Sequence, residues 1–167
     1  MQSIRSLLPA SMPDARLLIL GSMPGVRSLE AAQYYAHPRN DFWPLIFAVL
    51  QKDDPTAYDA RIAALLQHKI ALWDVIGECE REGSLDKNIK AAVPNDINGF
   101  LKTHPDIQTI CFNGTMARRT YFAHFQPQSG ISYLLLPSSS PVPRQHIRTR
   151  EDKVPKWLEI RRYLEEE

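Results

Sequence analysis

The chain is 167 residues long, which is typical of one domain and short for two. Apolar residues make up 44% of it and charged residues 23%, so disordered, collagen-like and coiled-coil classes are excluded. No apolar run approaches the roughly 20 residues that cross a bilayer, and the proline-interrupted start of the chain is a poor secretory signal. We expect a single domain over residues 1–167, soluble and cytoplasmic.

The cysteine content limits the chemistry further. Cys79 and Cys111 cannot by themselves form a disulfide scaffold, a cysteine-rich metal site or an iron–sulfur cluster. We therefore expect no cofactor and no protein-bound metal.

Charge is distributed unevenly along the chain. Residues 51–99 carry six basic and nine acidic side chains, whereas residues 107–150 carry five arginines and neither lysine nor a carboxylate. A chance imbalance among loops would give the same pattern. Clustered arginines also suit an anionic partner, however, and the phosphate backbone of a nucleic acid is the obvious one.

Short apolar runs and helical patterns alternate along the chain. The runs predict buried strands over 16–20, 70–76, 107–112 and 131–136, although 70–76 equally fits a short buried helix. Periodicity predicts helices over 41–50, 55–67 (with Asp54 as N-cap), 115–125 and 153–164. This alternation indicates an α/β fold with a mostly parallel sheet, in which ligands bind beyond the carboxyl ends of the strands.

Two loops predicted at those strand ends are candidates for ligand contact. Gly21 and Gly25 in GSMPG allow a ligand to approach the backbone closely, although an ordinary tight turn has the same composition. The spacing of the two glycines matches neither a dinucleotide fingerprint nor a P-loop. The loop PSSSPVPR at 137–144 offers three consecutive hydroxyls and an arginine, which suits phosphate oxygens; a surface linker is the alternative.

The segment QYYAHPRNDFW at 33–43 is the richest in chemistry. Aromatic rings flank His37, Arg39 and Asn40, and a ring, an amide and a cation so close together suit a nucleobase pocket. Each residue also has a simpler explanation, since Asn40 could be an N-cap and His37 part of a turn. Asp41 is the only carboxylate of the segment, and we expect it to cap the following helix.

Together these motifs resemble the uracil-DNA glycosylase superfamily, in the branch of hypoxanthine (deoxyinosine) DNA glycosylases, which is related to the mismatch-specific uracil/thymine enzymes. The resemblance covers nearly the whole chain and rests on LLILGSMPG at 17–25, QYYAHPRNDFW at 33–43, GSLDKNI at 83–89, CFNG at 111–114 and LPSSSPVPR at 136–144. It implies a three-layer α/β/α sandwich with a short parallel sheet.

The resemblance also implies site residues. Asn40 takes the catalytic role, orienting water or donating to the departing base, while His37 either assists the leaving group or fixes the loop. Tyr35 matches the ring on which the flipped base stacks. The remaining residues expected around the base are Gly21, Ser22, Met23 and Asn113. Met23 stands where the mismatch branch has an active-site Asn, and the water-activating Asp of the best-known uracil enzymes is absent from this loop.

The DNA contacts are expected from Ser138, Ser139, Ser140, Pro141 and Arg144. The resulting hypothesis is a monofunctional DNA glycosylase, acting as a monomer on DNA that contains deaminated bases, with hypoxanthine as the expected substrate. One alternative is a non-catalytic DNA-binding or damage-sensing module, because no carboxylate base is apparent. The other is a uracil or xanthine glycosylase of broad specificity.

Overall fold

The computed structural model describes residues 3–142, 147 and 149–164. The strands in chain order are β1 (Ser3–Arg5), β2 (Leu17–Gly21), β3 (Ile70–Asp74), β4 (Ile76–Glu80), β5 (Lys90–Pro94), β6 (Thr109–Asn113) and β7 (Ser132–Leu136). Four of them form a parallel sheet in the order β3-β2-β6-β7. These are the four apolar runs of the sequence, so the ambiguous run at 70–76 supplies a strand.

Helices cover both faces of this sheet. The α-helices of the described residues are α1 (Val26–Ala31), α2 (Phe42–Leu50), α3 (Tyr58–Gln67), α4 (Ile97–Thr103), α5 (Thr115–His124), α6 (Arg150–Leu158) and α7 (Arg161–Leu164). Leu17 and Ile19 belong to the core formed with α2, α3 and α6, whereas Leu18 and Leu20 belong to the core formed with α4 and α5. This alternation along β2 confirms the three-layer α/β/α sandwich.

A second, antiparallel sheet was not predicted from the sequence. It has the order β1-β4-β5, and β4 follows β3 after a single residue. Its outer strand β5 is largely exposed, so the apolar pattern that marks a buried strand is missing. This sheet matters for the site because the loop between β4 and β5 carries the GSLD sequence at 83–86.

Length and hydropathy of the helices bear on membrane insertion. Among the residues that the structure describes, no helix has both the length and the apolar character that a membrane span requires.

Candidate active site

A cavity of about 420 Å³ opens at the carboxyl ends of the parallel strands. This volume lies in the range of small-molecule sites. The loops after β2, β6 and β7 all contribute to its wall, as their position in a parallel sheet requires. The predicted site residues that line the cavity are Gly21, Ser22, Met23, Tyr35, His37, Asn40, Asn113, Ser138, Ser139, Ser140 and Pro141. Arg144 lies outside the described residues.

Gly21 lies where the side chains of Asp74 and Tyr35 approach the end of β2. A Cβ atom at this position would lie 2.5 Å from Oδ1 of Asp74 and 3.1 Å from the hydroxyl of Tyr35. The first distance is shorter than real Cβ contacts, and the second would require the Tyr35 hydroxyl to move by a few tenths of an ångström. Glycine is therefore required here because it lets a carboxyl group and a phenol converge at the end of β2.

Tyr35 is held in an uncommon conformation. Its φ of 55° lies in the left-handed region, which costs a non-glycine residue free energy. Phe42 covers one face of its ring, with centroids 4.0 Å apart and an interplanar angle of 11°. Because Tyr35 also lines the cavity, a ligand that stacks on this ring must use the opposite face. Burial raises the pKa of Tyr35, and the charge of Asp74 raises it further, so the hydroxyl stays protonated at neutral pH.

The side-chain amide of Asn113 fixes the loop after β7. Its Nδ2 donates to the Tyr35 hydroxyl (3.1 Å) and to Oγ of Ser139 (2.9 Å), and its Oδ1 accepts the Ser139 N–H (2.8 Å). Ser139 is only 1% exposed, so its hydroxyl faces Asn113 and not the solvent side where a phosphate would lie. This differs from the sequence-based expectation, which treated the three hydroxyls alike. The hydroxyls of Ser138 and Ser140 are half-buried at the cavity.

Asn40 combines a structural and an open hydrogen-bonding group. Residues 37–40 form a turn in which the Asn40 N–H donates to the carbonyl of His37 (3.0 Å). Oδ1 of Asn40 accepts the N–H of Phe42 (2.9 Å), the first residue of α2. The alternative that Asn40 is the N-cap is wrong, because Asp41 occupies that position and Asn40 precedes it. Asn40 lines the cavity, and the described residues provide no hydrogen-bond partner for its Nδ2. An N–H donor is therefore available to a ligand.

His37 is a neutral side chain at neutral pH. Its Nδ1 accepts the backbone N–H of Arg39 (3.1 Å), which leaves the proton of the neutral ring on Nε2. Desolvation lowers the pKa of His37, and the positive charges of Arg27 and Arg39 lower it further. His37 can thus donate a hydrogen bond through Nε2, but the neutral ring is a poor proton donor to a leaving group.

Asp74, at the end of β3, is the site residue that the sequence reasoning missed. It is 4% exposed, lines the cavity, and its Oδ2 has no hydrogen-bond partner among the described residues. Burial raises the pKa of Asp74 to about 7; the negative charge of Asp86 contributes, and Arg81 opposes the shift. A signal was present in the sequence, because a single carboxylate ending an apolar run marks the edge where parallel strands bind ligands.

The GSLD loop forms a further wall of the cavity. Oγ of Ser84 accepts the N–H of Val26 (2.8 Å), and Oγ of Ser22 donates to Oδ1 of Asp86 (2.8 Å). Leu85 and Lys87 of the same stretch also line the cavity. The sequence analysis used this motif only for the family resemblance.

Cations surround the mouth of the cavity. Arg27 and Lys87 line it and are exposed, and Arg39 is exposed on the adjacent turn. Basic side chains at the rim of a cavity attract anions such as phosphate groups. The sequence predicts phosphate contacts only in residues 137–150, so these cations are an addition from the structure.

No group of three or more potential metal ligands of the His, Cys, Asp or Glu type occurs within residues 3–142, 147 and 149–164. The absence of a metal or cofactor from the reaction stays a prediction.

Comparison with known proteins agrees with this architecture. The family model of the uracil DNA glycosylase superfamily matches residues 9–164, so the chain belongs to that superfamily. A hypoxanthine DNA glycosylase of Methanosarcina acetivorans is 36% identical over 155 residues, which cover 90% of this chain and 95% of the relative. The protein of the same name from Methanosarcina barkeri is 33% identical over 147 residues, covering 86% and 90%.

A solved structure is similar along the whole chain. It is the solution NMR structure of a Methanosarcina acetivorans protein provisionally assigned as a uracil DNA glycosylase. The two chains superimpose with a TM-score of 0.80 at 32% identity, covering 99% of this chain and 100% of the other. The resemblance inferred from the motifs is thereby confirmed.

Proposed function

We propose that this protein is a monofunctional DNA glycosylase that releases deaminated bases, hypoxanthine first among them, and leaves an abasic site. The observation that carries the proposal is the cavity that holds the ring of Tyr35 and the open N–H donor of Asn40 together at the carboxyl ends of the strands. The name shared by two relatives, hypoxanthine DNA glycosylase, supports this substrate.

The first step is extrusion of the nucleotide, because the glycosidic bond is inaccessible inside a duplex and unstacking costs a few kcal/mol. Ser138, Ser140 and Pro141 contact the DNA strand at the opened site, and Arg27 and Lys87 add phosphate contacts at the cavity. Arg144 lies outside the described residues, and its phosphate contact is proposed from the sequence alone. Ser139 acts as a positioning residue through its hydrogen bonds to Asn113.

In the chemical step, water adds to C1′ of the deoxyribose while the bond from C1′ to the base nitrogen breaks. The bonding electrons leave with the purine, which becomes negatively charged, and the sugar acquires oxocarbenium character. The proton that the attacking water loses ends on the purine anion, so the products are the neutral free base and a C1′ hydroxyl. Nδ2 of Asn40 donates to the departing base and stabilises this charge. Its Oδ1 is already engaged by Phe42, which favours donation to the base over orientation of water. His37 adds a second neutral donor through Nε2.

The cavity bears differently on the two alternative functions, a non-catalytic DNA-binding module and a uracil or xanthine glycosylase. The non-catalytic module was supported by the lack of a carboxylate, but Asp74 lies in the cavity wall. A uracil or xanthine glycosylase would use the same cavity and is distinguished only by its substrate. We further propose that the protein acts as a monomer in the cytoplasm. Size-exclusion chromatography with light scattering tests the oligomeric state.

The substrate is tested by a strand-cleavage assay. Purified protein in excess is incubated with duplexes that carry hypoxanthine, uracil, xanthine or a mismatched thymine, and abasic sites are then cleaved with alkali. We expect the fastest cleavage with hypoxanthine. Faster cleavage with uracil or xanthine would establish the second alternative, and binding without any cleavage would establish the non-catalytic module.

A further inference from the structure

Two apolar side chains are exposed in the wall of the cavity, and together they are called the apolar rim. Val26, the first residue of α1, is 39% exposed, and Leu85 of the GSLD loop is 41% exposed. Both line the cavity, so they lie at its opening and meet whatever closes the mouth. Single exposed apolar residues are common on protein surfaces. These two, however, come from separate segments of the chain and meet at one functional cavity.

The two segments of the apolar rim are held firmly in the free protein. Oγ of Ser84 accepts the N–H of Val26 (2.8 Å), which joins the GSLD loop to the start of α1. A Cβ atom at Gly25 would lie 3.3 Å from the same Oγ, so glycine lets the segments approach each other. Arg81, which is buried, donates to the carbonyl oxygen of Pro24. The rim is therefore prearranged, and binding to it costs little conformational entropy.

Each residue of the apolar rim has a cation close to it in the sequence. Arg27 directly follows the first residue, and Lys87 lies two positions after the second; both cations are exposed and line the cavity. Asp86, between the rim and Lys87, accepts the hydroxyl of Ser22, which anchors the loop to the segment after β2. An apolar surface flanked by cations is complementary to a nucleic-acid strand, since base faces are apolar and phosphates are anionic.

Flipping of a nucleotide creates a surface that such a rim can cover. The bases beside the flipped nucleotide lose a stacking partner, so one face of each becomes available to water, which is unfavourable for apolar surface. The flipped nucleotide enters the cavity through its mouth and stays attached to its neighbours by the backbone. The neighbouring bases are therefore held next to the mouth, where the rim is exposed.

We propose that Val26 and Leu85 pack against the unstacked face of a base next to the flipped nucleotide on the same strand. This inference rests on the proposed function and adds an apolar contact to it. The contact is separate from those of the loop after β7, because the rim belongs to α1 and to the GSLD loop. It forms only when a nucleotide has left the stack, and it carries no charge.

The test combines shortening of the rim with removal of the neighbouring base. Binding is measured with three duplexes: one has a single tetrahydrofuran abasic site, and the other two also lack the base on its 5′ or its 3′ side. Leu85→Ala and Val26→Ala shorten the rim. Leu158→Ala and Val93→Ala are matched controls, since these side chains are 37% and 53% exposed and are not among the described residues that line the cavity.

With the single abasic site we expect Leu85→Ala to weaken binding about fivefold and Val26→Ala about threefold, because apolar area stays in water. The slope of log affinity against log salt concentration stays unchanged, in contrast to substitution of a phosphate-binding cation. On one of the two duplexes that lack a neighbouring base, the loss falls to within about 1.5-fold, since the partner of the side chain is gone. The control variants bind all three duplexes like the wild type, and circular dichroism checks that each variant folds.

An equal loss on all three duplexes, or no loss on any of them, in either folded rim variant would overturn the proposed contact. A smaller salt slope in Leu85→Ala would also overturn it, because the effect would then come from lost phosphate contacts. None of these results affects the proposed function, since abasic duplexes carry no base to release. The proposed function itself fails if the wild-type protein releases no base in the strand-cleavage assay.

Discussion

The ammonium nitrogen of Lys153 lies 2.7 Å from Oδ2 of Asp41 and 3.0 Å from the carbonyl oxygen of Ser140. One buried lysine of α6 thus holds the residue next to Asn40 against the loop after β7. The backbone makes the same connection, since the N–H of Asp41 donates to the carbonyl of Ser139 (2.9 Å). The prediction that the Asp41 side chain caps α2 is wrong. Asp41 occupies the N-cap position, but its carboxylate binds Lys153 and Arg150 and makes no cap hydrogen bond.

Removal of the Lys153 charge is expected to destabilise the protein. The Lys153 and Asp41 side chains are only 6% and 14% exposed, so Lys153→Met leaves a largely buried carboxylate with Arg150 as its remaining partner. We expect a loss of about 3 kcal/mol in the free energy of unfolding, measured by urea denaturation. The exposed Lys156–Glu159 pair is the matched control, and Lys156→Met should cost less than about 0.5 kcal/mol. Equal effects of the two substitutions would contradict a special role of Lys153.

The pKa of Asp74 makes stability depend on pH. Its value is about 7 in the folded protein and about 3.9 in an unfolded chain, so between these values only the folded state holds the proton. The contribution of Asp74 to the stability of the wild type therefore falls as pH rises from about 4 to 7. Asp74→Asn removes this dependence, and its stability relative to the wild type should increase over that range by about 3 to 4 kcal/mol and level off above pH 8. The free energy of unfolding of both proteins is measured at several pH values, with Asp14→Asn as control. If Asp74 titrated normally, the difference in this free energy between the two proteins would not change with pH.

The sheet and its two helical layers could be predicted because their residues carry the pattern themselves. The strands of the parallel sheet are short apolar runs, and burial on both faces requires that composition. Helix ends were less predictable. The helix predicted to begin at residue 55 begins at Tyr58. Asp54 accepts the N–H of Thr56 and pairs with Arg61, and Thr56 adopts a φ of 67°, which is not helical.

The ends of the C-terminal helix were also not predicted correctly. It was predicted over 153–164, but α6 begins at Arg150 because Thr149 and Asp152 form a capping box, and the chain continues into the separate helix α7. The candidate site was harder to predict than the helix ends. Motifs indicated the loops around Tyr35 and Asn40, whereas Asp74 comes next to them only through the pairing of β3 with β2. The sequence shows Asp74 as a carboxylate that ends an apolar run, but it does not show which loops that carboxylate meets, because the contact depends on strand pairing.

Stacking on Tyr35 is expected to contribute more than its hydroxyl. Tyr35→Phe loses the hydrogen bond from Asn113 but keeps the ring on Phe42, so base release should remain within about threefold of the wild type. Tyr35→Ala removes the stacking face and should reduce single-turnover release by about 10- to 100-fold, since stacking of a base contributes roughly 1–3 kcal/mol. Comparable rates for Tyr35→Ala and Tyr35→Phe would show that the base does not stack there.

Basic residues at the mouth of the cavity should act through phosphate contacts. Replacing Arg27 or Lys87 by Gln should weaken binding to every DNA sequence and reduce the slope of log affinity against log salt concentration by about one unit each. The same holds for Arg144→Gln on the sequence-based prediction. Lys102→Gln in α4 is the control, because that helix does not line the cavity. Salt titrations with an abasic-site duplex measure the slopes, and an unchanged slope would exclude a phosphate contact.

Asn40→Ser separates the two hydrogen-bonding roles of the residue most directly. Serine can still accept the N–H of Phe42, so the Tm should stay close to that of the wild type, but the amide donor facing the cavity is lost. Single-turnover release of hypoxanthine, followed by chromatography of the free base, is the decisive measurement. We predict a loss of about 100-fold with unchanged affinity for an abasic-site duplex. Release within threefold of the wild-type rate would contradict the assignment of this cavity as the site of base excision by Asn40.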